Sequence, residues 1–166
     1  MTFLNVSLGS PVVRAAETVS GELGVVGARF IMAGGPSDGR FSLVEHPIVP
    51  RGLAAPVHVH RREDEFSFVL EGRWGFKLGE EVAYAEPGDL VYKPRDEWHT
   101  FWNATDEPAR LLEIISPAGF AQLAQREIES RIERARFGMS RVAGQFFAEE
   151  VTVRCRIGKD RIRRGV

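Results

Sequence analysis

Two histidines one residue apart, His58 and His60, are the side chains of this sequence best suited to chemistry. Residues i and i+2 of a strand point to the same face, so the spacing predicts two imidazoles aimed at one point. A polar segment, residues 61–64, separates them from Glu65, the first residue of an apolar run that ends at Leu70. This pattern predicts a hairpin that brings Glu65 back beside the histidines. Two imidazoles and one carboxylate would form a good site for a transition metal.

A pair of surface histidines followed by a charged turn is the alternative, and a third histidine ligand from elsewhere would exclude it. His99 is the candidate for that ligand. In the predicted strand 98–103, His99 shares one face with Phe101 and Asn103. If that face is inward, it meets the face that carries His58 and His60.

Composition places the chain among soluble globular proteins and bounds its partners. The 166 residues suit one domain, and 43% hydrophobic with 27% charged residues is ordinary for such a protein. No apolar run approaches the roughly 18 residues that span a bilayer. A net charge of −1 gives the whole chain no bias toward nucleic acid or membrane. The first residues lack the pattern of a signal peptide, and the single cysteine, Cys155, excludes an internal disulfide, so we expect a reducing cytoplasm.

Short strands separated by regularly spaced turns occupy the middle of the chain, without helices between them. This pattern predicts an all-β fold, an antiparallel sandwich or barrel of the jelly-roll kind, with a helical extension after it. We expect residues 1–24 to form an irregular arm or an edge strand, 25–116 the barrel, 117–150 a helical segment and 151–166 a basic tail. The tail is interpreted as a solvated terminus.

The predicted helix begins at Ser116-Pro117, which has the form of an N-cap followed by proline at the first helical position. Gly138 is expected to end it, and Ser140 is a candidate N-cap for a second, shorter helix through Phe147. An apolar stripe at helical spacing supports the first helix. The stripe consists of Phe120, Leu123, Ala124, Ile128, Ile132 and Ala135.

Two spaced motifs span residues 52–103. The first is glycine, five residues, His-x-His, four residues, glutamate, six residues and glycine, formed by Gly52, His58, His60, Glu65 and Gly72. The second is glycine, five residues, proline, four residues, histidine, three residues and asparagine, formed by Gly88, Pro94, His99 and Asn103. Together they resemble the two motifs of the cupin superfamily. One position departs from that pattern, because Asp96 replaces a turn glycine, and aspartate tolerates a left-handed backbone better than most residues.

The resemblance implies that His58, His60, Glu65 and His99 bind one divalent transition-metal ion per chain. Iron, manganese, nickel, copper and zinc all accept such ligands, and the sequence does not choose among them. Four protein ligands on an octahedral ion leave two positions for water, oxygen or substrate. Glu65 could also act as a catalytic base if it loosened from the metal.

Other side chains are candidates for the pocket around the metal. Alternation best supports Phe101 and Asn103, while core packing is the preferred interpretation of Phe76 and Tyr92. His46 precedes a proline in a predicted strand, and we interpret it as a hydrogen-bonded sheet histidine rather than a ligand.

The segment 117–120, Pro-Ala-Gly-Phe, is similar to that of small single-domain cupins, some of which are called quercetin-dioxygenase-like. This similarity favours a metal-dependent oxygenase that acts on a small organic molecule. A redox-neutral isomerase or lyase and a non-catalytic small-molecule-binding module are the alternatives. We also expect a homodimer, because five large apolar residues would face outward and the helix would cover only some of them. These are Phe66, Phe68, Leu70, Trp98 and Trp102.

Overall fold

The computed structural model describes residues 12–23 and 25–136. A short 3₁₀ turn (Ala15–Glu17) precedes ten strands and one helix. The strands are β1 (Val19–Leu23), β2 (Val26–Met32), β3 (Ser42–Ile48), β4 (Leu53–His58), β5 (Asp64–Glu71), β6 (Trp74–Leu78), β7 (Glu81–Ala85), β8 (Leu90–Lys93), β9 (His99–Asn103) and β10 (Ala109–Ser116), and the helix is α1 (Gly119–Arg136). The expected second helix and basic tail lie outside the described residues.

All strand pairs in the described chain are antiparallel, and they form two sheets. The larger sheet has the order β1-β2-β3-β10-β5-β8, and the smaller has the order β4-β9-β6-β7. Along β5 and β10 every second residue is buried, which is the period of a strand with one face toward a core. The predicted all-β antiparallel barrel with a helical extension is therefore confirmed.

The two sheets share one apolar core. Val69 and Leu111 of the larger sheet pack with Trp74, Phe76 and Phe101 of the smaller one. All five side chains are at most 6% exposed, so the inner faces of the sheets exclude water from this end of the barrel.

Helix α1 closes the part of the larger sheet that the smaller sheet does not cover. Ala121, Ala124 and Ile128 pack with Phe30 and Val44 in a second core cluster. Ile128 also lies against Gly21 of β1, where a Cβ atom would be 2.5 Å from its side chain. The helix therefore covers the inner face of β1–β3. It was expected to cover part of the outer face of β5, and the packing of its described side chains does not use that face.

Two local predictions were wrong. The expected β4–β5 hairpin does not form, because β4 lies in the smaller sheet and β5 in the larger one. The helix begins at Gly119 instead of at Ser116-Pro117, because Ser116 still pairs with Asp64 as the last residue of β10. No described helix is long and apolar enough to cross a membrane.

Candidate metal centre

His58 and His99 lie opposite each other in the smaller sheet. They are direct partners in the β4–β9 register. The Nδ1 of His58 is 2.7 Å from the carbonyl oxygen of Pro56, and the Nδ1 of His99 is 2.9 Å from that of Glu97. A carbonyl oxygen only accepts hydrogen bonds, so each Nδ1 carries the proton and donates it. Each ring is thereby oriented so that Nε2, and not Nδ1, is the atom that would bind a metal.

His60 and Glu65 complete the group from two different parts of the chain. His60 follows the end of β4, and Glu65 lies on β5 in the opposite sheet. His60 Nε2 is 3.2 Å from Glu65 Oε1, and His99 Nε2 is 3.3 Å from Glu65 Oε2. The carboxylate therefore meets the histidines across the barrel interior, since no hairpin joins their strands.

The four predicted ligands form one buried cluster. His58, His60, Glu65 and His99 are each at most 7% exposed, and one ligand atom from each lies within 4.8 Å of the others. His99 Nε2 is buried and has no hydrogen-bond partner among the described residues. An unpartnered buried nitrogen is costly, and a metal ion would satisfy it. The donor set and its geometry therefore fit a transition-metal ion.

Burial and charge shift the pKa values of these groups in different directions. Burial, reinforced by the charge of His99, lowers the pKa of His58 to about 4, so this ring is neutral near pH 7. Burial also acts to lower the pKa of His60, but its hydrogen bond with Glu65 and the charge of that residue outweigh it and raise the pKa. Burial acts to raise the pKa of Glu65, but the charge of Lys93 and the nearby His60 and His99 hold it well below the usual value.

A buried lysine beside Glu65 was missed in the sequence. Lys93 has no exposed surface, and its Nζ lies 2.8 Å from Glu65 Oε2 and 3.0 Å from Glu113 Oε2. Ser67 donates a hydrogen bond to Glu113. No clear signal in the sequence marked the Lys93–Glu113 pair, because both faces of β10 carry apolar residues, Leu111 and Ile115 on the face of Glu113 and Leu112 and Ile114 on the other.

The four expected pocket residues have different positions. Phe76 and Phe101 are buried and stack with ring centroids 6.0 Å apart, so both belong to the core next to the site. Asn103 is fully buried. Its side-chain amide donates hydrogen bonds to the carbonyl oxygens of Val49 and Glu107 and accepts one from the N–H of Thr105, so it fixes a loop. The position of Tyr92 contradicts its expected place in the pocket, because its side chain is 50% exposed and stacks on Phe66. The neighbour of Tyr92 on β8, Lys93, points inward instead.

His46 is separate from the cluster. Its Nδ1 lies 2.8 Å from the carbonyl oxygen of Gly27 on the neighbouring strand, which agrees with its interpretation as a sheet histidine.

A surface groove of about 330 Å³ adjoins His99. Val57, Trp98 and Thr100 line it and alternate along the chain with the ligand histidines. Because alternate residues of a strand face opposite ways, this groove lies on the outer side of the smaller sheet. The groove is therefore separate from the barrel interior, which the four ligands face.

Residues 46–115, which contain all four clustered side chains, match the family model described as the cupin domain. Over this stretch, from β3 to β10, the barrel matches a cupin domain. A comparison of the sequence with curated proteins finds no match.

Several solved structures share this fold. The chain resembles a predicted oxalate decarboxylase from Thermotoga maritima, with a TM-score of 0.59 and 18% identity over 64% of this chain and 98% of that one. It resembles KdgF from Halomonas sp., with a TM-score of 0.57 and 16% identity over 65% of this chain and 94% of that one. It also resembles the Cnp3 cupin domain of Schizosaccharomyces pombe, with a TM-score of 0.52 and 13% identity over 72% and 75% of the two chains. At these identities the likeness shows the fold alone.

Proposed function

We propose that this cupin binds one divalent transition-metal ion through His58, His60, Glu65 and His99 and uses it as an oxygenase acting on a small organic substrate. The observation that supports the metal is the buried cluster, whose four ligand atoms lie within 4.8 Å of one another. Three imidazoles and a carboxylate suit iron, manganese, nickel, copper and zinc. When bound, a redox-active ion with two open positions would supply a place where substrate and dioxygen meet.

The chain's own residues would do three things at this centre. The carbonyl groups of Pro56 and Glu97 orient two of the imidazoles through their Nδ1 atoms. The sheets exclude water from the core next to the ligands through Phe76 and Phe101. Glu65 offers a carboxylate that is ionised at neutral pH. Burial acts to raise its pKa, but the charge of Lys93 outweighs burial and lowers it.

The proposed role of Glu65 as a catalytic base is weaker than its role as a ligand. A carboxylate whose pKa is held low is a poor proton acceptor at neutral pH. Lys93 Nζ also lies 2.8 Å from Glu65 Oε2, so Lys93 would still hold Glu65 in place if Glu65 left the metal. The ligand role accounts for both observations.

A redox-neutral isomerase or lyase would use the same residues, with the ion acting as a Lewis acid. Metal identity separates the two activities, because zinc supports only the redox-neutral chemistry. Elemental analysis of protein purified without added metal is therefore the first test. Oxygen uptake with catechols, flavonols and diketones is the second. Iron, nickel or copper together with substrate-dependent uptake is the expected result. Zinc alone with no uptake would contradict the oxygenase, and absence of any metal would contradict the centre.

We further propose that the cupin works as a homodimer in the cytoplasm. The five outward residues expected to form the contact, Phe66, Phe68, Leu70, Trp98 and Trp102, are all half-buried. The described part of α1 packs on the inner face of the larger sheet instead. Phe66, Phe68 and Leu70 lie on the outer face of the larger sheet, whereas Trp102 lies on that of the smaller one, so a second copy would remove only one of these two groups from water. Light scattering at micromolar concentration should give twice the mass of the chain, and the mass of a monomer would refute the dimer.

A further inference from the structure

The cation nearest to the proposed metal ligands is itself buried. Lys93 Nζ contacts Glu65 on one side and both carboxylate oxygens of Glu113, at 3.0 and 3.1 Å, on the other. It also lies 4.1 Å from the centroid of the Phe101 ring. Removing an ammonium ion from water costs several kcal/mol, so a lysine in this position needs all of these partners.

We propose that Lys93 is a positioning residue of the metal centre, which holds Glu65 by Oε2 so that Glu65 offers Oε1 to the ion. The proposal rests on the proposed metal-binding function. The two oxygens of Glu65 have different surroundings. Oε2 lies 2.8 Å from Lys93 Nζ and 3.3 Å from His99 Nε2, whereas Oε1 lies 3.2 Å from His60 Nε2. One oxygen is therefore engaged before a metal arrives, and binding through both oxygens is disfavoured.

Glu113 has a separate part in this arrangement, which is to neutralise Lys93. Two carboxylates and one ammonium leave a single negative charge to attract a divalent ion. Without the charge of Glu113, Lys93 would cancel that of Glu65, and the ion would meet a neutral group of ligands beside a competing cation. Ser67 fixes Glu113 by donating a hydrogen bond to it.

The strand registers hold this network in place. Lys93 of β8 is the direct partner of Glu65 on β5, and Glu113 of β10 is the direct partner of Ser67 on β5. Three adjacent strands therefore set the position of one carboxylate. An interaction that only stabilised the fold would not need to include a metal ligand, and this difference makes the role testable.

A double-mutant cycle tests the proposal with Co²⁺ as the probe. Affinity is measured by chelator competition at neutral pH, the absorption spectrum of the bound Co²⁺ reports its coordination, and circular dichroism checks the fold. Glu113→Gln should weaken Co²⁺ binding by about 10–100-fold, the range found for residues that support metal ligands. Adding Lys93→Met should recover most of that loss, because Glu65 is then freed from an unbalanced cation. The Co²⁺ spectrum of the double variant should differ from wild type, because both oxygens of Glu65 become available. Glu113→Asp, which keeps the charge, should bind within a few-fold of wild type.

The outcomes separate this inference from the one it rests on. Wild-type protein that binds no Co²⁺ would overturn the metal centre itself. If wild-type protein binds Co²⁺, a double variant with the Co²⁺ spectrum of wild type would overturn the positioning role of Lys93, and unchanged affinity in Glu113→Gln would overturn the neutralising role of Glu113. If Glu113→Gln does not fold, Lys93→Met decides by its spectrum, and a Co²⁺ spectrum identical to wild type would overturn the proposal.

Discussion

Strand β10 takes part in two ion-pair networks that lie on opposite faces of the larger sheet. On the inner face, Glu113 pairs with Lys93, and their side chains are 2% and 0% exposed. On the outer face, Arg110 pairs with Glu45 and Glu71, and its side chain is 43% exposed. Arg29 adds a second ion pair to Glu45. The same kinds of charge thus meet in two different dielectric environments.

The difference concerns what each network costs. Exposed pairs lose little hydration and contribute little to stability. Buried pairs lose hydration from both ions, and replacing such a pair with apolar residues of similar size is often neutral or stabilising. The exposed Arg110–Glu71 pair of the outer network therefore needs no reason beyond solubility and strand pairing, whereas Glu45 is only 9% exposed and is neutralised by Arg110 and Arg29. The inner network needs another reason, and its contact with Glu65 supplies one.

Removing one acid from each network should give the largest difference. In metal-free protein, Glu113→Ala should lower the free energy of unfolding by on the order of 3 kcal/mol, because it leaves the buried Lys93 with one carboxylate fewer. Glu71→Ala on the outer face is the matched control and should change it far less, since Glu71 is solvated. Urea unfolding followed by circular dichroism measures both. Equal losses would remove the distinction between the two faces.

Histidines on and off the inner face provide the second test. His99→Ala should weaken metal binding at least about 100-fold, since even residues that support ligands are worth roughly 10–100-fold. The fold should persist, because the sheet hydrogen bonds of β9 do not use the imidazole. His46→Ala removes a histidine whose ring contacts Gly27 outside the cluster, and it should bind metal as wild type does. Metal content after dialysis measures both, and equal content in His99→Ala and wild type would refute the ligand assignment.

Acid should act on the inner site through His60. The pKa of His60 is raised above 6.5, because the hydrogen bond and charge of Glu65 outweigh burial. Protonated His60 therefore stabilises the metal-free fold fully below that pH, and this contribution is lost as pH rises through the folded-state pKa. Metal must displace the proton, so stabilisation by metal has the opposite pH dependence. The pKa of His58 is lowered to about 4, mainly by burial, so His58 does not limit binding in this range.

The rise in Tm on adding Zn²⁺ should accordingly be small near about pH 5 and should grow toward about pH 8. The outer arginine–carboxylate pairs keep their charges throughout this range, so they add no such trend. Differential scanning fluorimetry with and without Zn²⁺ measures the effect. A rise that is the same at every pH would contradict the assignment of His60 as a ligand.

Local periodicity and the two motifs were enough to predict which four side chains cluster, but not the network beside them. The alternation along β5 and β9 correctly placed Glu65 and His99 on inward faces. It did not reveal that β4 and β5 lie in different sheets, because strand pairing depends on contacts distant in sequence. Lys93 was missed for a similar reason. Its partners, Glu65 and Glu113, lie 28 and 20 positions away, and a lysine beside a proline turn has the pattern of a solvated residue.

The smallest expected effect is at the rim of the inner site, where Asp96 replaces the glycine of the motif. Asp96 has a φ of 67°, so the left-handed turn predicted for this position is present. Its N–H donates to the carbonyl oxygen of His60 at 2.8 Å, while its carboxylate accepts from the exposed Arg61. The backbone, and not the side chain, thus links this turn to a ligand. Asp96→Gly keeps that N–H and adopts the turn without strain, so stability should change by less than about 1 kcal/mol and metal affinity should stay near wild type.

Asp96→Val is the matched variant, because a β-branched residue is strongly disfavoured at positive φ. It should lower the free energy of unfolding by about 1–2 kcal/mol and weaken metal binding, since the turn must shift away from His60. Chelator competition and urea unfolding of the two variants separate backbone from side chain. If Asp96→Gly lost metal as completely as His99→Ala, the carboxylate of Asp96 would belong to the inner site. The inner site would then include an exposed side chain as well as the buried cluster.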